Sequence, residues 1–518
     1  MSVKQAFSKI TQFLDSPLIK IWVFSLFFKL FLIFNYTRIH NTKLVNILDI
    51  TKTLSPIKWY HEDLDYPPLF MYFQHAISLL KPKQLKDPRM LILYQKLTVT
   101  ISEFICVIIF NVYSMEKYNL LISASIILNP CIFLLDNIYF DYNGFAYGFL
   151  ALSIIHVQRK SILKAAFIYT VSIFLNKNFI FMVPCFCAIF VKSYCLKLEK
   201  FEFKTYLSLL KIFKWNKIMK LTLVISSAIL LSLIPFFVQK ATFKDFEETY
   251  YKIYPKKSLL INEKQSPSNV WTLYSLFDNS LSQLFKYFNK INKFKYFAKR
   301  NSMPVNESND FINSKNLFNA LPDIEPRINF YFIAFYQFLA IIPLFFNYEF
   351  KRFIGSLTLC CYSIYLFGRN IKSTDILLVI IPFTFLVIFD KRLLTPFMLL
   401  TSCGIVSIFP IINSPDVFMM KLTYTTIWMI IFYISFNSSV KNNAENRRVW
   451  FFDRLSLIYI VSLFPMIIFC GVLNTFEFKS KKYKQIASLI YNCYCSLGII
   501  TSWFGLSWLY NFDEHMWT

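Results

Sequence analysis

Apolar residues in this chain fall into long runs separated by short polar stretches, at 20–37, 91–112, 119–136, 144–157, 160–175, 179–195, 219–238, 329–346, 353–367, 376–389, 393–412, 420–437, 453–474 and 487–511. Strict alternation of apolar and polar positions, the mark of half-buried strands, is not the pattern here. Crossing the hydrocarbon of a bilayer takes about 20 apolar residues, so the runs predict an all-α, polytopic membrane protein with about 12 to 14 transmembrane helices. Two polar stretches are long enough to interrupt the series. They divide the chain into an N-terminal transmembrane module (1–238) with a loop at 38–90, a large loop (239–328), and a C-terminal transmembrane module (329–518).

The first apolar run starts late, near residue 21, behind a basic segment, and continues for a full span. That order predicts a signal-anchor helix rather than a cleaved leader. With the N-terminus cytosolic, loops of one parity carry most of the short-loop Lys and Arg: Lys117, Arg159-Lys160, 197–220, Lys351-Arg352, Lys391-Arg392 and Lys441 to Arg448. This is the positive-inside pattern. Lys479, Lys481, Lys482 and Lys484 run against it. The other face receives 38–90, 137–143, 176–178, 239–328, 368–375, 413–419 and 475–486, and with them nearly every motif-like polar segment. A single site built from several loops at one membrane face is the economical reading. Two sequons, at Asn35 and Asn306, lie on that face.

Composition closes off other classes. Hydrophobic residues make up 56% of the chain, and a soluble core could not hold 60 Phe and 31 Tyr. A net charge of +25 suits anionic headgroups or a phosphorylated substrate; with no nucleic-acid-binding motif beside it, nucleic acid is not an expected partner. The eleven cysteines sit mostly within apolar runs, without zinc or CxxC spacing, and read as small packing residues. No metal site is expected.

The densest chemistry is the segment Trp59 to Leu69, WYHEDLDYPPL, where Glu62, Asp63 and Asp65 stand beside Pro67-Pro68. The prolines fix an extended turn and then a helix start. Asp65 either caps that helix or meets substrate, and Glu62 and Asp63 either work or are solvated charges. Asp136 lies at a predicted helix end, where a carboxylate is costly and points to function; Asp141 reads as exposed. Trp271 and Tyr274 have the amphipathic character of interface residues.

Three segments in order carry a resemblance: Leu64-Asp-Tyr-Pro-Pro-Leu69 preceded by Lys58-Trp59-Tyr60, Asp136-Asn-Ile-Tyr-Phe-Asp-Tyr-Asn-Gly-Phe145, and Ser268-Asn-Val-Trp-Thr-Leu-Tyr274. Together they resemble the endoplasmic-reticulum α-1,3-glucosyltransferases that use dolichyl-phosphate glucose. Asn143-Gly144-Phe145 and the Asn-x-Trp-x-Leu-Tyr string look closest to members that add the second glucose to the lipid-linked N-glycan precursor. The resemblance implies a GT-C fold with lumenal loops carrying the site, residence in the endoplasmic-reticulum membrane, and an active face toward the lumen. It implies dolichyl-phosphate glucose as donor, a dolichol-linked oligosaccharide as acceptor, and no metal or other cofactor.

The chemistry so implied inverts a β-linked donor into an α-linked product. One in-line displacement needs a base near the acceptor hydroxyl and positive charge near the departing phosphate. Family members carry an Asp-Phe-Glu segment whose Asp is the expected base; the gapless register from Trp59 places His40-Asn41-Thr42 there. Their His-x-His-Glu-Lys segment corresponds to Asn370-Ile-Lys-Ser-Thr374. The candidate bases are therefore His40, Asp63 and Asp65, His40 because an imidazole titrates near neutrality. Lys177, Arg369 and Lys372 are candidates for the phosphate, and Trp59, Tyr66, Asp136, Asn143 and Trp271 for other substrate contacts. Alternatives are a first-glucose transferase, a family member with little activity, and a lipid or solute transporter. A transporter should show inverted repeats and ionisable residues at the midplane, and the chain shows neither pattern.

Overall fold

The computed structural model describes residues 15–39, 41–61, 64–82, 87–113, 117–196, 213–239, 242–254, 267–291, 321–322, 326–368, 371–412, 414–440, 450–475, 481–513 and 516–517. Every apolar run becomes helix. The first module contains α1 (Pro17–Asn35), α2 (Thr42–Thr53), α3 (Pro68–Leu80), α4 (Pro88–Tyr113), α5 (Lys117–Ile127) and α6 (Pro130–Leu134). It continues with α7 (Asn143–Gln158), α8 (Ile162–Ile173), α9 (Val183–Phe190) and α10 (Trp215–Val238). Of the expected large loop, α11 (Phe243–Ile253) and α12 (Val270–Ile291) are described. The second module is α13 (Pro326–Phe346), α14 (Phe350–Phe367), α15 (Leu377–Leu386), α16 (Leu394–Val406), α17 (Phe418–Ser439), α18 (Trp450–Thr475) and α19 (Lys481–Phe512). Proline opens α1, α3 and α6, where its missing N–H costs nothing.

Among the described residues, nine helices are long and apolar enough to cross a membrane by that measure alone, against fourteen apolar runs. The difference lies in α7, α8, α14, α15 and α16, which are shorter or more polar. Every residue of α15 and all but Thr395 of α16 are buried, so protein, not lipid, surrounds them. A helix covered on all sides is apolar all round whatever its length. The outer helices show the opposite arrangement. On α1, Phe24, Phe27, Phe31 and Phe34 face outward while Leu18, Trp22, Lys29 and Leu32 pack inward. The inner helices approach closely: a side chain at Gly148 of α7 would stand 2.9 Å from Cys106 of α4.

The polar segments gather at one end of the bundle, as the loop parity predicts. There Tyr36 donates to the Asp416 carbonyl (3.2 Å), Asn178 to Asp375 (2.8 Å), and Trp271 Nε1 to the Phe367 carbonyl (2.7 Å). At the other end Arg392 pairs with Asp390 (3.0 Å) and with Asp513, and Lys351 donates to the Met516 carbonyl. The loop between α1 and α4 holds two helices, α2 and α3. These bury a small second core of Leu44, Leu48, Trp59, Phe70 and Met71 against Phe140, Tyr142, Phe145 and Phe236.

Candidate active site

The rim of the polar end is built around Asp65 and Lys177. Pro67 adopts an extended conformation (φ −65°, ψ 156°) before α3 begins, and the Tyr60 hydroxyl holds the Tyr66 carbonyl at 3.1 Å. Asp65 is thereby projected from the turn rather than folded onto the helix end. Its Oδ2 accepts from Lys177 Nζ at 2.6 Å, both side chains remaining partly exposed. Asn176 accepts from the Asn178 amide (3.1 Å), and the Tyr254 hydroxyl donates to the Lys177 carbonyl (3.3 Å). The turn that carries Lys177 is thus fixed from two sides.

Asp375 forms the inner wall. It accepts from Asn178 Nδ2 (2.8 Å) and from the Lys372 amide (2.8 Å), which closes the turn before α15. The Lys372 side chain is exposed beside it. Loss of hydration works against its ammonium, but the carboxylates of Asp65, Asp375 and Asp141 outweigh this and raise its pKa above that of an ordinary lysine. Tyr66 stacks on Phe70 at 5.2 Å, and burial, then the charges of Asp141 and Asp65, push its phenol well up. Tyr66 is a hydrogen-bond donor at any physiological pH.

The floor comes from Asp136 to Gly144. A π-turn over Leu135–Tyr139 extends α6, and Phe140 then takes φ 72°, the left-handed region that a bulky side chain rarely enters. Such a residue costs roughly 1–3 kcal/mol and persists only where its surroundings enforce it. The reversal turns Asp141 back over the site. Its Oδ1 accepts from the Tyr142 amide at 2.9 Å. Burial raises the Asp141 carboxyl pKa above the ordinary carboxylate value, against the opposing pull of that amide, of Lys372 and of Asn143.

The candidates from sequence separate into groups. Lys177, Lys372, Asp65 and Tyr66 come together at the rim. Trp59 is fully buried, its indole N–H given to the Leu54 carbonyl (3.0 Å), and it packs between Tyr72 and His75. Asp136 is also fully buried, and accepts from the Asn143 amide and Nδ2 (3.0 Å each) and the Gly144 amide (2.7 Å). It caps α7, and Asn143 is committed to the same bonds. Trp271 ties the start of α12 to the end of α14. These four shape the frame, because their polar atoms are already taken by protein. His40, Asp63, Glu62 and Arg369 lie outside the described residues. Sequence reading missed Asp375 of the inner wall and also Asp141, which was expected to be exposed and is half-buried among charges. Its place five residues after Asp136, in a polar string between two apolar runs, was the available signal.

The model of the ALG6, ALG8 glycosyltransferase family matches residues 26–506 of the chain. The chain belongs to this family. Three curated relatives carry the name dolichyl pyrophosphate Glc1Man9GlcNAc2 alpha-1,3-glucosyltransferase. That of Saccharomyces cerevisiae is 35% identical, covering 96% of this chain and 92% of its own length. That of Kluyveromyces lactis is 34% identical over 91% and 90%, and that of Candida glabrata 34% over 96% of each. Membership of the ALG6, ALG8 family bears out the expected glycosyltransferase class and sets the transporter alternative aside. It also fits the all-helical, many-span architecture.

Proposed function

We propose that the protein transfers glucose from dolichyl-phosphate glucose to Glc1Man9GlcNAc2-diphosphate-dolichol, forming an α-1,3 linkage at the lumenal face of the endoplasmic reticulum. The observation that carries the reading is near-full-length similarity to relatives named for that acceptor. The site's geometry supports it. Carboxylates and lysines share one end of a membrane bundle, the end opposite the basic Lys351, Arg352, Lys391 and Arg392 segments. A lipid-bound phosphate and a sugar hydroxyl meet at such a surface.

In this reading the acceptor hydroxyl attacks the donor's anomeric carbon as the bond to phosphate oxygen breaks. The hydroxyl proton passes to Asp141, and the phosphate leaves as an anion toward Lys372. Asp141 fits the base better than Asp65, since Asp65 is engaged by Lys177 at 2.6 Å while burial raises the proton affinity of Asp141. Lys372 fits the phosphate because its ammonium stays charged throughout the working pH range. Lys372→Met should lower kcat/KM for the donor by about 10- to 100-fold, equivalent to the ~1.5–3 kcal/mol of a charged hydrogen bond. Initial rates at varied dolichyl-phosphate glucose read this, and an unchanged ratio removes Lys372 from the phosphate site.

Function is tested by expression in cells lacking second-glucose transfer, with lipid-linked glycans resolved by mass. Loss of the monoglucosylated precursor and appearance of larger glycans are expected. Continued accumulation of that precursor despite normal expression sinks the proposal.

A further inference from the structure

Lys96 lies inside α4 with no exposed surface, yet among the described residues its Nζ meets backbone carbonyls rather than a carboxylate. It donates to three carbonyls, of Tyr36 (2.9 Å), Ile39 (2.8 Å) and Ile138 (2.8 Å). Three acceptors on one nitrogen use all three N–H groups of an ammonium. Two of the carbonyls lie at helix C-termini, Tyr36 at the end of α1 and Ile138 at the end of the π-turn, where aligned peptide dipoles favour a cation. The charge is thus stabilised by the chain ends it joins.

What those ends lead into makes the contact more than packing. Beyond Ile39 the chain reaches Asn41, whose side chain hydrogen-bonds the Tyr66 hydroxyl beside Asp65. Beyond Ile138 it passes through left-handed Phe140 to Asp141. The flanking residues of the same turn of α4 act in parallel. Gln95 Nε2 donates to the Val45 carbonyl of α2 (3.1 Å), and Thr98 shares a hydrogen bond with the Tyr142 hydroxyl (2.9 Å). One turn of a membrane helix therefore sets the spacing between the two segments that face each other across the site.

We infer that Lys96 is a positioning residue: through Ile39 and Ile138 it fixes the distance between the Asn41–Tyr66 side of the site and Asp141. The inference rests on the transferase reading for its effect on turnover. It predicts that losing Lys96 damages the chemical step rather than the capture of either lipid, because Lys96 has no exposed surface to offer a lipid. A base or acceptor displaced by about 1 Å costs on the order of 100-fold in rate.

The test compares full-length wild type, Lys96→Met and Lys96→Arg in lipid nanodiscs. Lys421→Met is the control, since Lys421 is likewise buried and bonded to carbonyls, of Phe409 and Ile412, in a segment that carries neither Asp141 nor Tyr66. Lys96→Met should lose at least about tenfold in kcat with KM for donor and acceptor within about threefold, and Lys421→Met should keep its kcat per folded molecule. Amide exchange should quicken at 36–42 and 138–142 in Lys96→Met alone. Arginine, whose planar fork cannot aim three N–H groups from one nitrogen, should restore only part of kcat; it carries the comparison if the Met variant does not fold. An unchanged kcat in a folded Lys96 variant, or an equal loss in Lys421→Met, overturns the inference. Absence of turnover in wild type overturns the transferase reading instead, and the exchange comparison still reports whether Lys96 holds the two segments.

Discussion

Asp141→Asn should abolish most turnover, lowering kcat by about 10²- to 10⁴-fold, the usual contribution of a general base. Asparagine keeps the shape and can still accept the Tyr142 amide, so the loop should hold. The pH profile separates this loss from a structural one. Burial raises the folded-state carboxyl pKa, and the base works only when ionised, so wild-type kcat/KM should climb through a pH range above that of an ordinary carboxylate. In Asp141→Asn that limb should vanish from the residual rate. The sign for stability runs the other way. A raised folded-state pKa means the folded chain holds the proton longer than the unfolded chain, so the stabilisation is present at low pH and lost as pH rises. At neutral pH the asparagine variant should be no less stable than wild type. Turnover within threefold of wild type would remove Asp141 from catalysis, and Asp65→Asn would then be the decisive variant.

Lys29→Met should cause the largest loss of stability among single substitutions in the described bundle. Lys29 of α1 and Glu103 of α4 are almost wholly buried and paired with each other. Glu103 Oε2 has no hydrogen-bond partner among the described residues, so removing the lysine leaves a buried carboxylate uncompensated. Breaking such a pair costs about 3–5 kcal/mol, whereas replacing both members with apolar residues of similar size is often neutral. Lys29→Met with Glu103→Leu should therefore recover most of what Lys29→Met loses. The thermal midpoint of purified protein, followed by tryptophan fluorescence, reads both. Equal midpoints for Lys29→Met and wild type would show that the pair adds nothing. The effect should reach the site, because a side chain at Gly144 would stand 3.2 Å from both Glu103 Cγ and Asp136 Oδ2. The ion pair and the cap of α7 are in contact.

Much of this was legible in the sequence, and what was not has a physical reason. Each apolar run wrote its own helix because hydrophobic periodicity is local. Apolarity alone does not say whether lipid or protein covers a helix, and α15, though as apolar as any outer helix, is covered by protein. The residues of the rim were visible as polar positions in motif-like loops. Their pairing was not, since Asp65 and Lys177 stand 112 residues apart. Asp136 and Asp141 exchanged expectations for one reason. Burial and hydrogen-bond partners decide whether a carboxylate caps a helix or stays open toward the site, and Phe140's reversed backbone, which places the second, leaves no mark in composition.

The packing of α19 has a consequence for biosynthesis. This last described helix lies along α12, α14, α16 and α18. Its Ser502 hydroxyl meets Tyr362 of α14 (2.7 Å) and its Tyr510 donates to the Ala340 carbonyl of α13 (3.0 Å). Asn492 meets Ser268 (3.4 Å), next to the Asn269 that bonds Gly368. A chain stalled on the ribosome before residue 481 would already contain Asp65, Asp141, Lys177, Lys372 and Asp375. It would still lack the wall against which α14 and α16 close, and contacts this distant in sequence are the slow ones to form. Turnover should thus begin only after α19 has been made and inserted, and the half-built bundle must wait in the bilayer with its inner helices uncovered.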